Sequence, residues 1–299
     1  MKKHFSTVLI VIIFIAGLGI MLYPTVSNFV NQKNSSKLIY RYDEVVKELD
    51  AEQEKGILDA ARAYNEKLAK SLSMPPESGL EGYDSLLDVA GNGIMGYIAF
   101  ADVNIRLPIY HGVSEPVLQV GVGHMGQTSL PVGGENTHAV VTGHRGLPSA
   151  KLFTDLDKVR PGNVFYVYIL NEILAYRVDQ IITVEPEDTK ELSIVPGKDY
   201  MTCVTCTPYG INTHRLLVRG YRVPYESTIA EKVRTRGDAE MLDPYLVAPV
   251  MAAPVLLAFL GFLLIKLQRN KRKSLALEEA KNAFIHKFEE GESDDSKKD

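Results

Sequence analysis

Cysteine is nearly absent from this 299-residue chain, which has only Cys203 and Cys206. A disulfide framework is therefore excluded, and the fold must rest on its apolar core. A strong excess of one charge is also missing. The formal net charge of −4, from 33 basic and 37 acidic residues, argues against a general nucleic-acid binder. Length leaves room for one mid-sized domain with accessories.

Two long uncharged runs are present, one near each end. Phe5 to Tyr23 follows Met1-Lys2-Lys3-His4, and Leu246 to Ile265 precedes Lys266, Arg269, Lys271, Arg272 and Lys273. Each approaches the ~20 residues a helix needs to cross a bilayer. Basic residues at the outer end of each put both termini in the cytoplasm and the intervening chain outside. A cleaved signal peptide is the alternative for the first run. Its apolar stretch is longer than a signal core, and no small-x-small site follows in Leu22-Tyr23-Pro24-Thr25-Val26. The expected organisation is a cytoplasmic N-terminus (1–4), a span (5–23), external helices (24–72), a linker (73–92), a β-rich domain (93–225), a spacer (226–245), a second span (246–265) and a cytoplasmic tail (266–299).

Between the spans, Val45, Val46, Leu49, Ile57, Leu58, Ala61, Tyr64 and Leu68 recur at helical steps, with Gly56 as the expected break between two helices. Residues 73–92, with Met74-Pro75-Pro76-Glu77-Ser78-Gly79, read as a linker. The texture then becomes β. Short β-branched or aromatic runs cover 97–100, 103–110, 117–120, 138–141, 163–168, 173–178 and 201–206, punctuated by Gly and Pro, with Asn171-Glu172 at a tight turn. Many short strands in a domain of this size imply a sandwich or a closed barrel. Ser149 to Val159 reads as a short helix, residues 226–241 as a helical spacer, and the acidic tail after Leu275 as solvated and partly disordered.

The chemistry centres on the thiols. A free thiol is only a few per cent thiolate at neutral pH and needs a His or a cation beside it to react. Cys203 and Cys206 are an odd number of positions apart, so on a strand they face opposite ways. A redox pair or a zinc knuckle needs both sulfurs on one side. Cys203 is then a small apolar filler, and Cys206, at the strand end before Pro208, is the nucleophile. Among the histidines, His144 follows Val140-Val141-Thr142-Gly143, where a buried strand emerges, and Gly143 and Gly146 let the backbone turn its ring into a groove. His214 points away, and His124, His138 and His144 together are the metal-site alternative, which no acidic partner supports. Arg215 and Arg219 share a strand face, so spacing alone does not choose between them. No Asp or Glu is clearly placed to orient His144; Asp155 and Asp157 read as surface residues.

Thr202-Cys203-Val204-Thr205-Cys206, followed by Thr207-Pro208-Tyr209-Gly210-Ile211-Asn212-Thr213-His214-Arg215-Leu216-Leu217-Val218-Arg219-Gly220, resembles the active-site signature of the sortases, the pilus-assembling class C in particular. Thr137-His138-Ala139-Val140-Val141-Thr142-Gly143-His144-Arg145-Gly146 is similar to the family strand that delivers the catalytic His. The resemblance runs from about Gly96 to Tyr225, and Cys203 stands where the family usually has Leu.

The resemblance implies a mainly β fold, a closed eight-stranded sortase-type barrel with N-terminal helices and two flanking transmembrane helices. It also selects His144, Cys206 and Arg215 as the catalytic residues, with no cofactor and no metal. Its implied partners are membrane-tethered pilin subunits that carry Leu-Pro-x-Thr-Gly-like sorting signals and an acceptor Lys. The implied activity is a cysteine transpeptidase that joins pilins through isopeptide bonds. A housekeeping sortase that anchors proteins to the cell wall, a membrane-anchored cysteine hydrolase and a non-enzymatic pilus scaffold are the alternatives. Class C relatives carry a lid with an Asp-Pro-aromatic tripeptide that plugs the groove. That tripeptide is missing from 73–92, where Tyr83 is the aromatic available as a plug; the Asp243-Pro244-Tyr245 match abuts the second span. Leu130-Pro131-Val132-Gly133-Gly134 looks like a sorting signal but lies mid-domain, as a loop would.

Overall fold

The structure is a computed structural model that describes residues 5–71, 75–226 and 244–295. These fall into two compact units, 5–22 with 244–295 and 23–226. In the first unit, helix α1 (Phe5–Glu48) begins and helix α4 (Pro244–Asp295) lies. Each contains an apolar segment long enough to cross a membrane, and the most apolar stretch of α1 buries nothing against protein. Ile12, Ile13 and Ile20 are exposed there, a surface that a bilayer would cover. Both helices outrun the spans read from sequence: α1 continues to Glu48, and α4 carries the acidic tail in helical form to Asp295. The expected spacer helix lies largely outside the described residues.

In the second unit, α1 docks through Ile39, Tyr42 and Val46, spaced on one helical face and buried. The Tyr42 hydroxyl donates to Met95 O (2.9 Å) and accepts from Leu170 N (2.8 Å), pinning helix to barrel. The break before helix α2 (Ala51–Ala69) falls at Asp50, not at Gly56, which lies inside α2. Asp50 Oδ1 accepts Glu52 N and Gln53 N, while Gln53 Oε1 accepts Asp50 N. This capping box satisfies donors that a new helix leaves open and is worth about 1 kcal/mol. The Asp-x-x-Gln signature was present in the sequence. Gly56 has no conformational duty to break a helix.

The rest of this unit is a closed barrel of eight strands in the order β1-β2-β3-β4-β7-β8-β6-β5. They are β1 (Ile94–Phe100), β2 (Ile105–His111), β3 (Val122–His124), β4 (Thr137–Thr142), β5 (Val164–Ile169), β6 (Glu172–Val184), β7 (Asp199–Thr207) and β8 (His214–Val223). β2/β3 and β4/β7 pair in parallel, and the other neighbours are antiparallel. Closure removes exposed edges, so every strand finds partners on both sides. Stacked Phe100–Phe165 and Phe165–Tyr176 rings help fill the interior. The β5/β6 turn sits one residue earlier than expected, on Leu170-Asn171, with Ile169 facing Glu172.

Three further sequence expectations change. Residues 117–120 form no strand; helix α3 (Glu115–Leu118) occupies that stretch, with Pro116 in its first turn. Between 149 and 159 there is a 3-10 turn, Thr154–Lys158, and no α-helix. Residues 75–92 pack as a strap whose Tyr83 and Leu87 are buried in the core. The Leu130–Gly134 stretch is a loop between β3 and β4, held by Asn65, which bonds both Leu130 N and Leu130 O.

Candidate active site

β7 and β8 pair in register so that Cys206 lies directly across from Arg215. Directly opposed residues project to one face with Cβ atoms roughly 5 Å apart. β4 flanks β7 on the other side in parallel, with Thr142 level with Val204. The pairing continues past the strand: Gly143 N donates to Val204 O (3.1 Å), and Thr205 Oγ1 donates to Gly143 O (2.7 Å). Extending the register by two residues brings His144 level with Cys206. The register thus brings a thiol on β7, a guanidinium on β8 and an imidazole just past the end of β4 to one rim of the barrel.

Local sequence explains the exit of His144. A Cβ on Gly143 would lie 2.9 Å from Phe153 and 3.0 Å from Val122, so any side chain there would push the Phe153 ring aside. Gly146 sits at φ +80° beneath the Tyr209 ring, where a side chain would be strained. Between them, Arg145 donates to Thr207 Oγ1 (3.2 Å), pairs with Asp157 and lies against Tyr209. Asp157 is therefore tied to the segment beside His144, and Asp155 pairs with Lys151 and Lys158 at the surface.

Electrostatics separates the candidates. Cys206 is half-buried. Cys203 is fully buried among apolar neighbours, and burial pushes its thiol well above the ordinary range. It is an inert filler. Arg219 is held by Asp179 through two N–H donors (3.2 and 2.9 Å) and lies over Tyr200. Arg215 bonds the carbonyls of Asn212 and His214 in its own turn and pairs with no carboxylate among the described residues.

Three other histidines are committed elsewhere. His124 has Nδ1 on the Tyr83 hydroxyl (2.9 Å) and Nε2 on Ser129 O (2.8 Å). His138 bonds Ser193 O and Thr202 Oγ1, and His214 pairs with Glu185. The ring nitrogens of His124 and His138 are engaged within the fold, and no group of three or more metal-ligating side chains occurs among the described residues. Tyr83 is not a plug: its hydroxyl bonds His124 and accepts Gly112 N, inside the wall formed by β2 and β3.

Sequence reasoning missed one neighbour of the site. The Glu115 carboxylate on α3 stands 3.4 Å from His144 Nε2. It is remote in sequence and comes close through the β2–β3 crossover, so no local pattern announced it.

The Sortase domain family description matches residues 98–223. Sortase C1 from Streptococcus agalactiae is 49% identical with a TM-score of 0.60, covering 64% of this chain and all of that one. Sortase C of Clostridium perfringens, solved with the C-terminal cell wall sorting motif, is 43% identical with a TM-score of 0.56, covering 64% of this chain and 100% of that one. Sortase A of Streptococcus agalactiae serotype III is 34% identical over 117 residues, 38% of this chain; the match spans about half of that protein's length (47%).

Proposed function

The chain belongs to the sortase family of cysteine transpeptidases, with class C sortases among its close structural matches, and from that premise we propose that it polymerises pilin subunits. Sortases act on Leu-Pro-x-Thr-Gly-type sorting signals. In this reading the Cys206 thiolate attacks the carbonyl carbon of the Thr–Gly bond of such a signal on a membrane-tethered pilin. Arg215 donates N–H bonds to the oxyanion of the tetrahedral intermediate. His144 gives its proton to the leaving glycine nitrogen as the C–N bond breaks, which leaves a thioacyl-enzyme. A Lys amine from a second pilin then attacks the thioester. Its surplus proton passes to His144, the C–S bond breaks, and an isopeptide bond forms with Cys206 restored as thiolate. Covalent catalysis conserves the acyl energy, so no nucleotide is required.

The pairing of Cys206 with Arg215, beside the His144 exit, carries this reading. The high identity to the class C structures favours pilin joining over wall anchoring. We place the barrel outside the cell and both termini in the cytoplasm, because Lys2, Lys3 and the 266–273 basic cluster flank the two apolar segments. Two anchors would hold the enzyme in the plane of its tethered substrates and raise their effective concentration. The test is incubation of the full chain, in detergent, with a pilin that carries a sorting signal. A ladder that survives boiling in detergent and disappears with Cys206→Ala is expected. Free acid alone would make the protein a hydrolase, transfer only to cell-wall amines would make it a housekeeping enzyme, and an undiminished ladder in the variant would leave it a scaffold.

A further inference from the structure

The His144 Nε2 atom is covered from solvent and has no hydrogen-bond partner, yet a carboxylate stands beside it. Glu115 Oε1 is 3.4 Å away, and Gln119 Nε2 orients that same oxygen with a 2.6 Å bond along the α3 turn. A slight rotation of either side chain would turn the ion pair into a charge-assisted hydrogen bond.

The segments that carry the pair are fastened by one helix. Asn31 Nδ2 donates to Gln119 O (3.1 Å), and Ser35 Oγ approaches Val120 O (3.4 Å), at the end of the Glu115 turn. Asn28 Oδ1 accepts Lys151 N (2.9 Å), in the loop that follows His144. Asn28 and Ser35 are buried polar residues on a helix that otherwise buries Ile39, Tyr42 and Val46. Burying a polar group is costly unless it is bonded, so these residues specify where α1 seats.

We propose that Glu115 is a positioning residue for His144, and that Asn31 and Ser35 of α1 hold the turn that presents it. This rests on the reading of His144 as the acid of the reaction. A carboxylate on Nε2 favours the imidazolium that must donate to the leaving amine, and it leaves Nδ1 to face the groove. Gln119 lowers the Glu115 carboxyl below its usual range, with a smaller contribution from His144, so it is a carboxylate that stands beside the ring. The other charged or titratable groups on the flanking elements are Cys206 on β7, Arg215 on β8 and, next to His144 in the chain, Arg145 tied to Asp157. The α1 helix that sets this geometry is the one that bears the first apolar segment, so seating of the anchor helix and readiness of the acid are linked.

The experiment uses the full chain in detergent micelles with a sorting-signal peptide. It compares Glu115→Gln, Glu115→Asp, the Asn31→Ala/Ser35→Ala pair and His144→Ala. The readouts are kcat, KM and the pH dependence of Cys206 alkylation by iodoacetamide. Glu115→Gln should lower kcat roughly tenfold at unchanged KM and move the imidazole limb to lower pH by up to about one unit. Glu115→Asp should recover part of both effects, and the α1 pair should show the same pattern more weakly. A wild-type kcat and pH limb in Glu115→Gln would overturn the proposal. So would a kcat loss accompanied by a lower melting temperature and an unmoved limb, which marks a merely structural role. If His144→Ala turned over peptide normally, the mechanism itself would fall, and this proposal with it; failure of Glu115 alone leaves the mechanism standing.

Discussion

The interior of the barrel and its rim hold the same three residue types in opposite conditions. Inside, Cys203 is sealed among apolar side chains, His124 has both ring nitrogens bonded, and on the wall Arg219 is clamped by Asp179. At the rim, Cys206 is half-buried, His144 Nε2 lacks a hydrogen bond, and Arg215 leans on carbonyls of its own turn. A buried polar group in a folded protein is normally satisfied, so unfilled bonding capacity in one place needs a reason. Residue type does not mark this site; incomplete satisfaction does.

The sharpest way to break the comparison is to remove its two thiols one at a time. Cys206→Ala should abolish transpeptidation, on the order of the 10⁶-fold loss known when a covalent nucleophile is removed. Cys203→Ala should stay within a few-fold of the parent in peptide cleavage and cost about 1–2 kcal/mol of stability by leaving a small void. Next in size are the histidines. His144→Ala should lower kcat by roughly 10²–10⁴-fold, the range for a general acid, with little change in melting temperature.

The arginines follow. Arg215→Ala should reduce kcat by about 10²–10³-fold through loss of an oxyanion donor. Arg219→Ala should cost at most about 1 kcal/mol of stability and little activity. Steady-state kinetics and thermal melts on the five variants check both halves.

The smallest effect concerns pH. Burial holds the His124 imidazole down at about 4, and burial lowers His138 in the same direction. The unfolded chain takes up the proton near pH 6.5, before the folded barrel does. The contribution to stability is thus complete above about 6.5 and is lost as the pH falls toward 4, by up to about 3 kcal/mol. Melting temperatures at pH 7 and pH 4.5 should differ more in the parent than in His124→Gln. Equal differences would show that His124 is not held neutral by the core.

Most of the fold was readable because its signals are local. β1, β2 and β4 to β8 carry dense β-branched and aromatic runs, and barrel closure followed from the sortase resemblance. β3 was hidden, since Val122–His124 is three residues long and lies among glycines. Val117-Leu118-Gln119-Val120 has strand-like composition, but Pro116 in the first turn starts a helix there. The helix break went to Gly56 on propensity, whereas the Asp50–Gln53 capping box decides it. At the candidate site, the thiol and guanidinium lie on adjacent hairpin strands, so sequence could bring them together. Glu115 could not be found this way, because its approach to His144 depends on a parallel crossover that no spacing rule encodes.

The role of Cys206 is tested most directly by trapping the intermediate. The full chain is mixed with a sorting-signal peptide, quenched in acid within a turnover, digested and weighed. The expected result is the acyl mass, ending at the Thr carbonyl, on the peptide containing Cys206, released by a lysine-bearing acceptor. Product formation with no acyl adduct on that sulfur, or an adduct on Cys203, would contradict it.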